Sequence, residues 1–402
     1  MALPSTITPP DRRQRFKSFM RRFNPSASPI TAIDDGLIHE QPERSVFRSL
    51  ATGADLSPGS QRLVVGGIGS GKTTELLLAQ RELARHAEII PVFVDVSAET
   101  DLSGVNSGAL IASFGLRLWQ HVDRQGAILP GLKIAYDQIR KAAYGYAELQ
   151  AFEFKLPVIE LSNLLGPRRH VPGKLKPPFP ALKRDVEELA KSVGVLNAFL
   201  KAQGKDVVAI FDGLDRLGKA EQFWSIVEQD LRALRPIQIS VLAAGPLSVM
   251  YGQGRVVQDY FDGVHYLATA ITSPTDSPFL LDVLLLRGAG ELMSEQQMWQ
   301  LCLSSGGVLR DLISLARSTA ESAYLNDADA VTNLDVDKAV QQLGNSYLLG
   351  LGTDQIDILR KVVKGAGFAP SDAVSMELLI TRRVLEQPGS RYEVHPALAP
   401  LL

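Results

Sequence analysis

Residues 66–73 read GGIGSGKT, straight after the apolar run Leu63-Val64-Val65 and straight before TTELLLAQRELARHA. The stretch fits G-x-x-x-x-G-K-[ST], with Gly66, Gly71, Lys72 and Thr73 at the fixed places. A short buried strand, a glycine-rich loop and a helix without Gly or Pro are the context in which that pattern holds phosphate. Glycines let successive backbone N–H groups curl towards one anion, and the helix N-terminus adds partial positive charge. On this reading Gly66, Gly67, Ile68, Gly69, Ser70, Gly71, Lys72, Thr73 and Thr74 line a nucleotide's phosphates. Lys72 reaches the β and γ phosphates, and the Thr73 hydroxyl ligates Mg²⁺. The plainer alternative is a glycine-rich turn joining strand to helix.

A phosphate loop of this kind needs an acid on a neighbouring strand. Residues 207–217 read VVAIFDGLDRL, five apolar residues running into Asp212. That is the pattern of a parallel strand buried on both faces and ending in a carboxylate, so Asp212 is the expected Mg²⁺ partner. Asp215, three residues on, is the candidate to orient or deprotonate an attacking water. An Asp-Gly turn after a core strand is the alternative for this segment.

These two segments resemble the Walker A and Walker B motifs of P-loop NTPases. The form DGLD is similar to that of STAND-type ATPases, the NACHT group above all, within the AAA+ superfamily. The resemblance implies ATP as the nucleotide. It departs from the family at Arg216, where NACHT members usually carry Glu, and at Gly213, where most AAA+ enzymes carry a catalytic Glu. In LAAGP, Ala243, Ala244 and Gly245 stand where the family has a polar sensor. These departures imply ATP binding with weak turnover. In SGGVLRDLISLARSTAESAYL, Arg310 opens a helix with Leu309, Leu312, Ile313 and Ala316 on one face. It resembles the sensor-2 arginine that AAA+ lids send to the γ-phosphate, and a planar guanidinium suits that task. By the same resemblance an arginine from a neighbouring subunit completes the site, with Arg255 the positional candidate.

The expected fold class is α/β: a parallel-sheet P-loop NTPase core, AAA+/STAND-like, followed by a helical lid and a winged helix. Further strands are expected at 89–96 (IIPVFVDV), 237–243 (IQISVLA) and 264–268 (VHYLA), alternating with helices. The boundaries read as a basic N-terminal extension over 1–34, a core over 35–274 with an insertion about 101–205, a lid over 275–346 and a winged helix over 347–402. The last lid helix, TNLDVDKAVQQL, has Asn333 or Asp335 near its cap. The insertion carries the Pro-rich basic stretch GPRRHVPGKLKPPFP at 166–180, which reads as either a partner- or nucleic-acid-contacting loop or a solvated connector. In the tail, a helix over SDAVSMELLITRRVLEQ would present Arg382 and Arg383 against Asp372, Glu377 and Glu386, a poor balance for binding DNA phosphates. The resemblance instead gives this module the task of packing on the core and holding it shut.

With 402 residues, a net charge of -2 and one cysteine, Cys302, the chain has no global drive towards nucleic acid and no disulfide framework. No apolar run approaches the ~20 residues that span a bilayer, and a cytoplasmic protein is the expectation. DRRQRFKSFMRRF, six basic residues against one acid with Phe16, Phe19, Met20 and Phe23 interleaved, reads as a basic amphipathic arm for a second subunit, nucleic acid or anionic lipid, or as a loose tail. The leading function is an ATP-binding switch in which nucleotide state governs assembly into a homo-oligomer or recruitment of an effector or sensor protein. Relatives by resemblance often serve antiviral defence. The rivals are a DNA-handling AAA+ ATPase of the initiator or transposition-regulator kind, and a scaffold that locks nucleotide with little turnover.

Overall fold

The computed structural model describes residues 11–40, 44–99, 102, 105–124, 129–153, 184–217, 220–251, 254–270, 272, 278–387 and 391–402. The Pro-rich stretch 166–180 lies outside them. The chain divides into two compact units. One comprises Met1–Ser45, Gly66–Thr74 and Tyr266–Leu402, the other Val46–Val65 and Glu75–His265.

The second unit is built on a parallel sheet. The strands are β1 (Gln61–Gly66), β2 (Ile89–Asp95), β3 (Asp206–Asp212), β4 (Ser240–Gly245) and β5 (Gly263–Leu267), in the order β2-β3-β4-β1-β5, with the last residues of β1 and β5 counted in the other unit. The strands pair in parallel between β2 and β3, β3 and β4, and β4 and β1. β4 is buried at every position and β3 at all but its first, as a sheet covered on both faces requires. β4 begins three residues later than its apolar run suggests. Gln238 takes a left-handed turn (φ 58) before it, so Ile237 belongs to the turn. The long segment between β2 and β3 supplies helices Ala109–Asp123, Pro130–Glu153 (broken at Gly145) and Val186–Lys201. Phe114 of the first stands 6.2 Å from Phe211 of β3, ring centre to ring centre. Ala109–Asp123 and Val186–Lys201 pack on the sheet and Pro130–Glu153 packs on those two, so these described parts of the expected insertion belong to the core. Asp230, wholly buried, accepts from the backbone N–H of Gly108 and Leu110. It thereby caps Ala109–Asp123 from a distant place in the chain.

In the other unit, helices Phe279–Leu286, Glu295–Ser304, Leu309–Leu325 and Asn333–Leu348 share one apolar core with the N-terminal helix Arg12–Arg22. Phe16, Phe19 and Phe23 are buried in that core. Arg22 grips Glu291 through two hydrogen bonds of 2.8 and 2.6 Å. Arg12 donates to Ala328 O at 3.0 Å and lies over the Tyr324 ring. The apolar face read as a docking arm is thus spent inside the chain. Thr332 caps Asn333–Leu348 and Asp335 closes the capping box from the third helical position, so the cap lies one residue ahead of Asn333.

The C-terminal part holds helices Thr353–Val363 and Ala373–Ile380 and an antiparallel pair, β6 (Val384–Gln387) with β7 (Arg391–Val394). The second helix was expected to run through Gln387; it stops at Ile380. Arg382 N donates to Leu379 O and Arg383 N to Leu378 O, which is a Schellman closure with Arg382 in its left-handed seat (φ 65). Arg382 and Arg383 therefore lie beyond the helix, and Arg383 is engaged with the carbonyls of Tyr347 and Leu349.

Candidate functional site

β1 delivers the chain to Gly66, Ser70 N bonds back to Gly67 O at 3.2 Å, and helix Lys72–Leu83 follows. Gly69 (φ 79) and Gly71 (φ 104) take left-handed conformations that a side chain would strain. Lys72 is only 5% exposed. Its ammonium is wrapped by the loop itself, donating to Gly66 O at 2.8 Å and Gly67 O at 3.0 Å. Ser70 Oγ is buried with no hydrogen-bond partner. Ile68, by contrast, is 40% exposed at the loop's crest. Arg44 clasps the loop: its guanidinium donates to Ser70 O and Ala268 O and lies over the Phe279 ring. No pattern in the sequence marks Arg44, because its acceptors are backbone carbonyls 26 and 224 residues away.

The crest of the loop touches the start of Leu309–Leu325. A β-carbon on Gly69 would stand 2.9 Å from Arg310 Cβ, 3.3 Å from Val308 Cγ1 and 3.6 Å from Arg382 Nη1. Gly69 is needed here for its φ and for the closeness of approach together. Arg310 is exposed, second in its helix. Asp311, next to it, is buried and gathers three partners. Tyr347 OH donates at 2.5 Å, Arg382 Nη1 at 2.8 Å, and His395 Nε2 lies 3.3 Å away. Burial opposes ionisation of Asp311, but the His395 contact, the Arg382 charge and the Tyr347 hydroxyl outweigh it and hold the carboxyl below its ordinary range. Desolvation and that same carboxylate push the Tyr347 phenol upward.

In the sheet unit, Asp212 is 4% exposed at the carboxyl end of β3. Ligands of open parallel sheets bind at this edge. Its register partner on β2 is Asp95, which sequence reasoning passed over. The signal was available: PVFVD is an apolar strand running into an acid, as VVAIFD is. Asp95 Oδ1 accepts from Ser97 Oγ at 2.7 Å and Ala98 N at 3.2 Å, and Arg216 Nη1 donates to Ser97 Oγ at 3.0 Å. Gly213 is left-handed (φ 87), and a β-carbon there would lie 3.0 Å from both Ser97 Cβ and Ser97 N. Ser97 thus fills the space a larger residue at 213 would need. Asp215 lies half-buried in the turn Leu214–Arg216. Ala243, Ala244 and Gly245 are buried in β4. Ser240 Oγ donates to Ala54 O and accepts from Gly59 N at the strand's opposite end, a tie within the fold. Arg255 belongs to helix Gly254–Tyr260, and its side chain falls outside what is described.

Among the described residues, no group of three or more His, Cys, Asp or Glu side chains could hold a metal. Mg²⁺ does not ask for one, since it commonly takes one or two protein oxygens and completes its shell with phosphate and water. Thr73 and Asp212 are of the oxygen type that suits it. A loop with left-handed glycines and a buried ammonium behind it is likewise of the type that suits a polyphosphate. Among the described residues no helix is long and apolar enough to cross a membrane.

The fold is thus α/β, a five-stranded parallel sheet with a phosphate-loop sequence between β1 and its helix, and a helical region after it. No family model matches the sequence, and no curated protein is similar to it. Among solved structures, the chain is similar to Drosophila ORC bound to DNA, at 13% identity over 91% of this chain and 76% of that one, with a TM-score of 0.46. It is similar to the Aeropyrum pernix ORC1 protein in complex with DNA, at 16% identity over 87% and 80%, TM-score 0.45. It is also similar to the Thermotoga maritima RuvB Holliday junction branch migration motor, at 14% identity over 90% and 93%, TM-score 0.41. Likenesses at this level add nothing to the chemistry of the loop, which rests on its own residues.

Proposed function

We propose that the chain is a P-loop nucleotide switch of the AAA+/STAND kind, in which Lys72 and Thr73 take the phosphates and Mg²⁺ of ATP, Asp212 is the Mg²⁺ acid and Arg310 reports from the helical region. The observation that carries this reading is the contact of Gly69 with Val308 and Arg310. A loop packed directly on the start of a long helix cannot change its contents without pressing on that helix, and this is the local event a switch amplifies. Lys72 would exchange the carbonyls of Gly66 and Gly67 for phosphate oxygens. Turnover is slow on this reading, because the position after Asp212 is a glycine closed in by Ser97, and Asp215 is the remaining acid in that turn.

The test uses purified wild type and Lys72→Ala. Nucleotide released on denaturation is quantified, and size exclusion with light scattering is run with and without ATP–Mg²⁺. The reading requires that wild type bind ATP and change its assembly state or its capture of a partner, and that Lys72→Ala do neither. Wild type that binds no nucleotide would leave GGIGSGKT as a turn. The STAND resemblance suggests antiviral defence as the setting, which phage challenge of cells carrying either form tests separately.

A DNA-handling ATPase is the second reading. It is favoured by Arg13, Lys17 and Arg21, which lie exposed at i, i+4 and i+8 on the helix whose other face is buried. Three phosphate contacts would give a log–log salt slope of about -3 for duplex binding, together with DNA-stimulated turnover. A flat salt response excludes it.

A further inference from the structure

We infer that Arg382 is a second phosphate-binding arginine of the nucleotide site, supplied by the C-terminal segment, and that Asp311 is the acceptor that holds it when phosphate does not. This rests on the reading that Gly66–Thr73 holds a nucleotide.

Four observations converge on this side chain. The first is its seat. The left-handed position after a helix belongs by preference to glycine, and any other residue there costs roughly 1–2 kcal/mol. Three non-glycine residues among those described have positive φ: Gln238, Asp327 and Arg382. The first two are exposed turn residues, and Arg382 alone of the three is half-buried. An unfavourable backbone under a half-buried charge points to a side chain that is used.

The second is where the guanidinium points. Its Nη1 comes within 3.6 Å of the place a Gly69 β-carbon would take, beside the Arg310 stem. Two arginines therefore meet the crest of the phosphate loop, one from the helix Leu309–Leu325 and one from beyond Ala373–Ile380.

The third is spare capacity. Arg382 Nη1 bonds Asp311, while its Nε is buried with no partner. Its planar fork presents five N–H donors suited to phosphate.

The fourth is that Asp311 can release it. Tyr347 OH and His395 Nε2 remain beside the carboxylate, and it lies in the first turn of its helix, where the dipole favours negative charge. A buried carboxylate left with no partner would forbid the exchange; this one keeps the Tyr347 hydrogen bond, with the His395 ring 3.3 Å away.

The expected consequence is that Asp311 and the nucleotide's terminal phosphates compete for Arg382, which ties loop occupancy to the segment leading into β6. The test measures Mg–ATP, ADP and AMP binding by titration calorimetry on the full chain, for wild type, Lys72→Ala, Arg382→Gly and Asp311→Asn. Arg382→Gly places the residue that suits this backbone, so melting temperature should hold. Affinity for ATP should fall roughly tenfold or more, the scale of a lost charge-assisted hydrogen bond, with AMP affinity little changed. Asp311→Asn weakens the competitor, so ATP affinity should rise several-fold. A purely structural tie predicts the same sign for both variants. Wild-type ATP affinity in Arg382→Gly, in a background where Lys72→Ala abolishes binding, overturns the inference and leaves the loop's reading intact. No nucleotide binding by wild type overturns the loop's reading, and this inference with it. Should Arg382→Gly melt lower, the sign of the Asp311→Asn effect decides.

Discussion

Placing the missing acid back after Asp212 should fail, and the structure says by how much. In Gly213→Glu the new residue must adopt φ near 87, a left-handed conformation that costs a side chain roughly 1–2 kcal/mol. Its β-carbon would also meet Ser97 Cβ and Ser97 N at 3.0 Å. One of these is backbone, and the Ser97 hydroxyl is held between Asp95 and Arg216, so the obstacle cannot simply rotate away. Crowding of this sort adds roughly 1–3 kcal/mol. A total near 3 kcal/mol lowers the melting temperature of a unit this size by roughly 6–12 °C. Scanning calorimetry reads the loss, and a phosphate-release assay reads turnover, which should not exceed wild type. Gly213→Ala isolates the backbone and β-carbon from the acid and should show most of the destabilisation. Ser97→Gly in the Gly213→Glu background should recover part of it. A Gly213→Glu protein that melts with wild type and hydrolyses ATP faster would refute the argument, because it would mean that Ser97 yields and the seat was open.

Asp230 gives the chain a pH dependence of predictable sign. Burial pushes its carboxyl from 3.8 up to about 6. The group's contribution is therefore complete below about pH 4 and lost as pH rises through about 6, an order-of-magnitude cost of ~3 kcal/mol at pH 7. Urea unfolding of wild type and Asp230→Asn across pH 4–8 should show that slope in wild type and its loss in the variant; parallel curves would contradict it. Phe19→Ala opens a hole in the core that the N-terminal helix shares with the helices of 279–348 and should destabilise that unit by about 3–5 kcal/mol. Proteolysis within residues 279–348 reads the effect, and unchanged protection would mean that the N-terminal helix is dispensable.

What was legible in the sequence was local. GGIGSGKT carries its strand, its turn and its helix within about twenty residues, and VVAIFD carries a buried strand and its terminal acid. Each needs only its neighbours to be read. The sheet order, the closeness of Gly69 to Arg310 and the Asp311 cluster depend on residues far apart in the chain, and no periodicity encodes them. The N-terminal helix lies between these cases. Its apolar face was plain from Phe16, Phe19 and Phe23, but an amphipathic face does not say what covers it, and the cover proved to be the chain's own helices. The second tail helix was misread for a physical reason as well. VLEQ has no feature that separates helix from strand at four residues, and the stop is a left-handed residue that would have been obvious as glycine and is invisible as Arg382.

The chemistry of the loop follows from how its cations are held. Lys72 is bonded to two carbonyls of its own loop, and Arg382 to a carboxylate that also accepts from Tyr347 and has His395 beside it. Neither waits in solvent. Binding of a polyphosphate would therefore be an exchange of acceptors, and its free energy the difference between two sets of charge-assisted hydrogen bonds. The acceptors given up are not equivalent. Carbonyls of the loop, once released, stay in the loop, so the Lys72 exchange is local. Asp311, Tyr347 and His395 belong to two helices and the segment after β7, so the Arg382 exchange alters what holds those elements together. A ligand can shift an equilibrium only by its differential affinity for the two states. On the proposal made above, the phosphate that draws Arg382 from Asp311 is where that difference would arise, and Lys72 would supply affinity common to both.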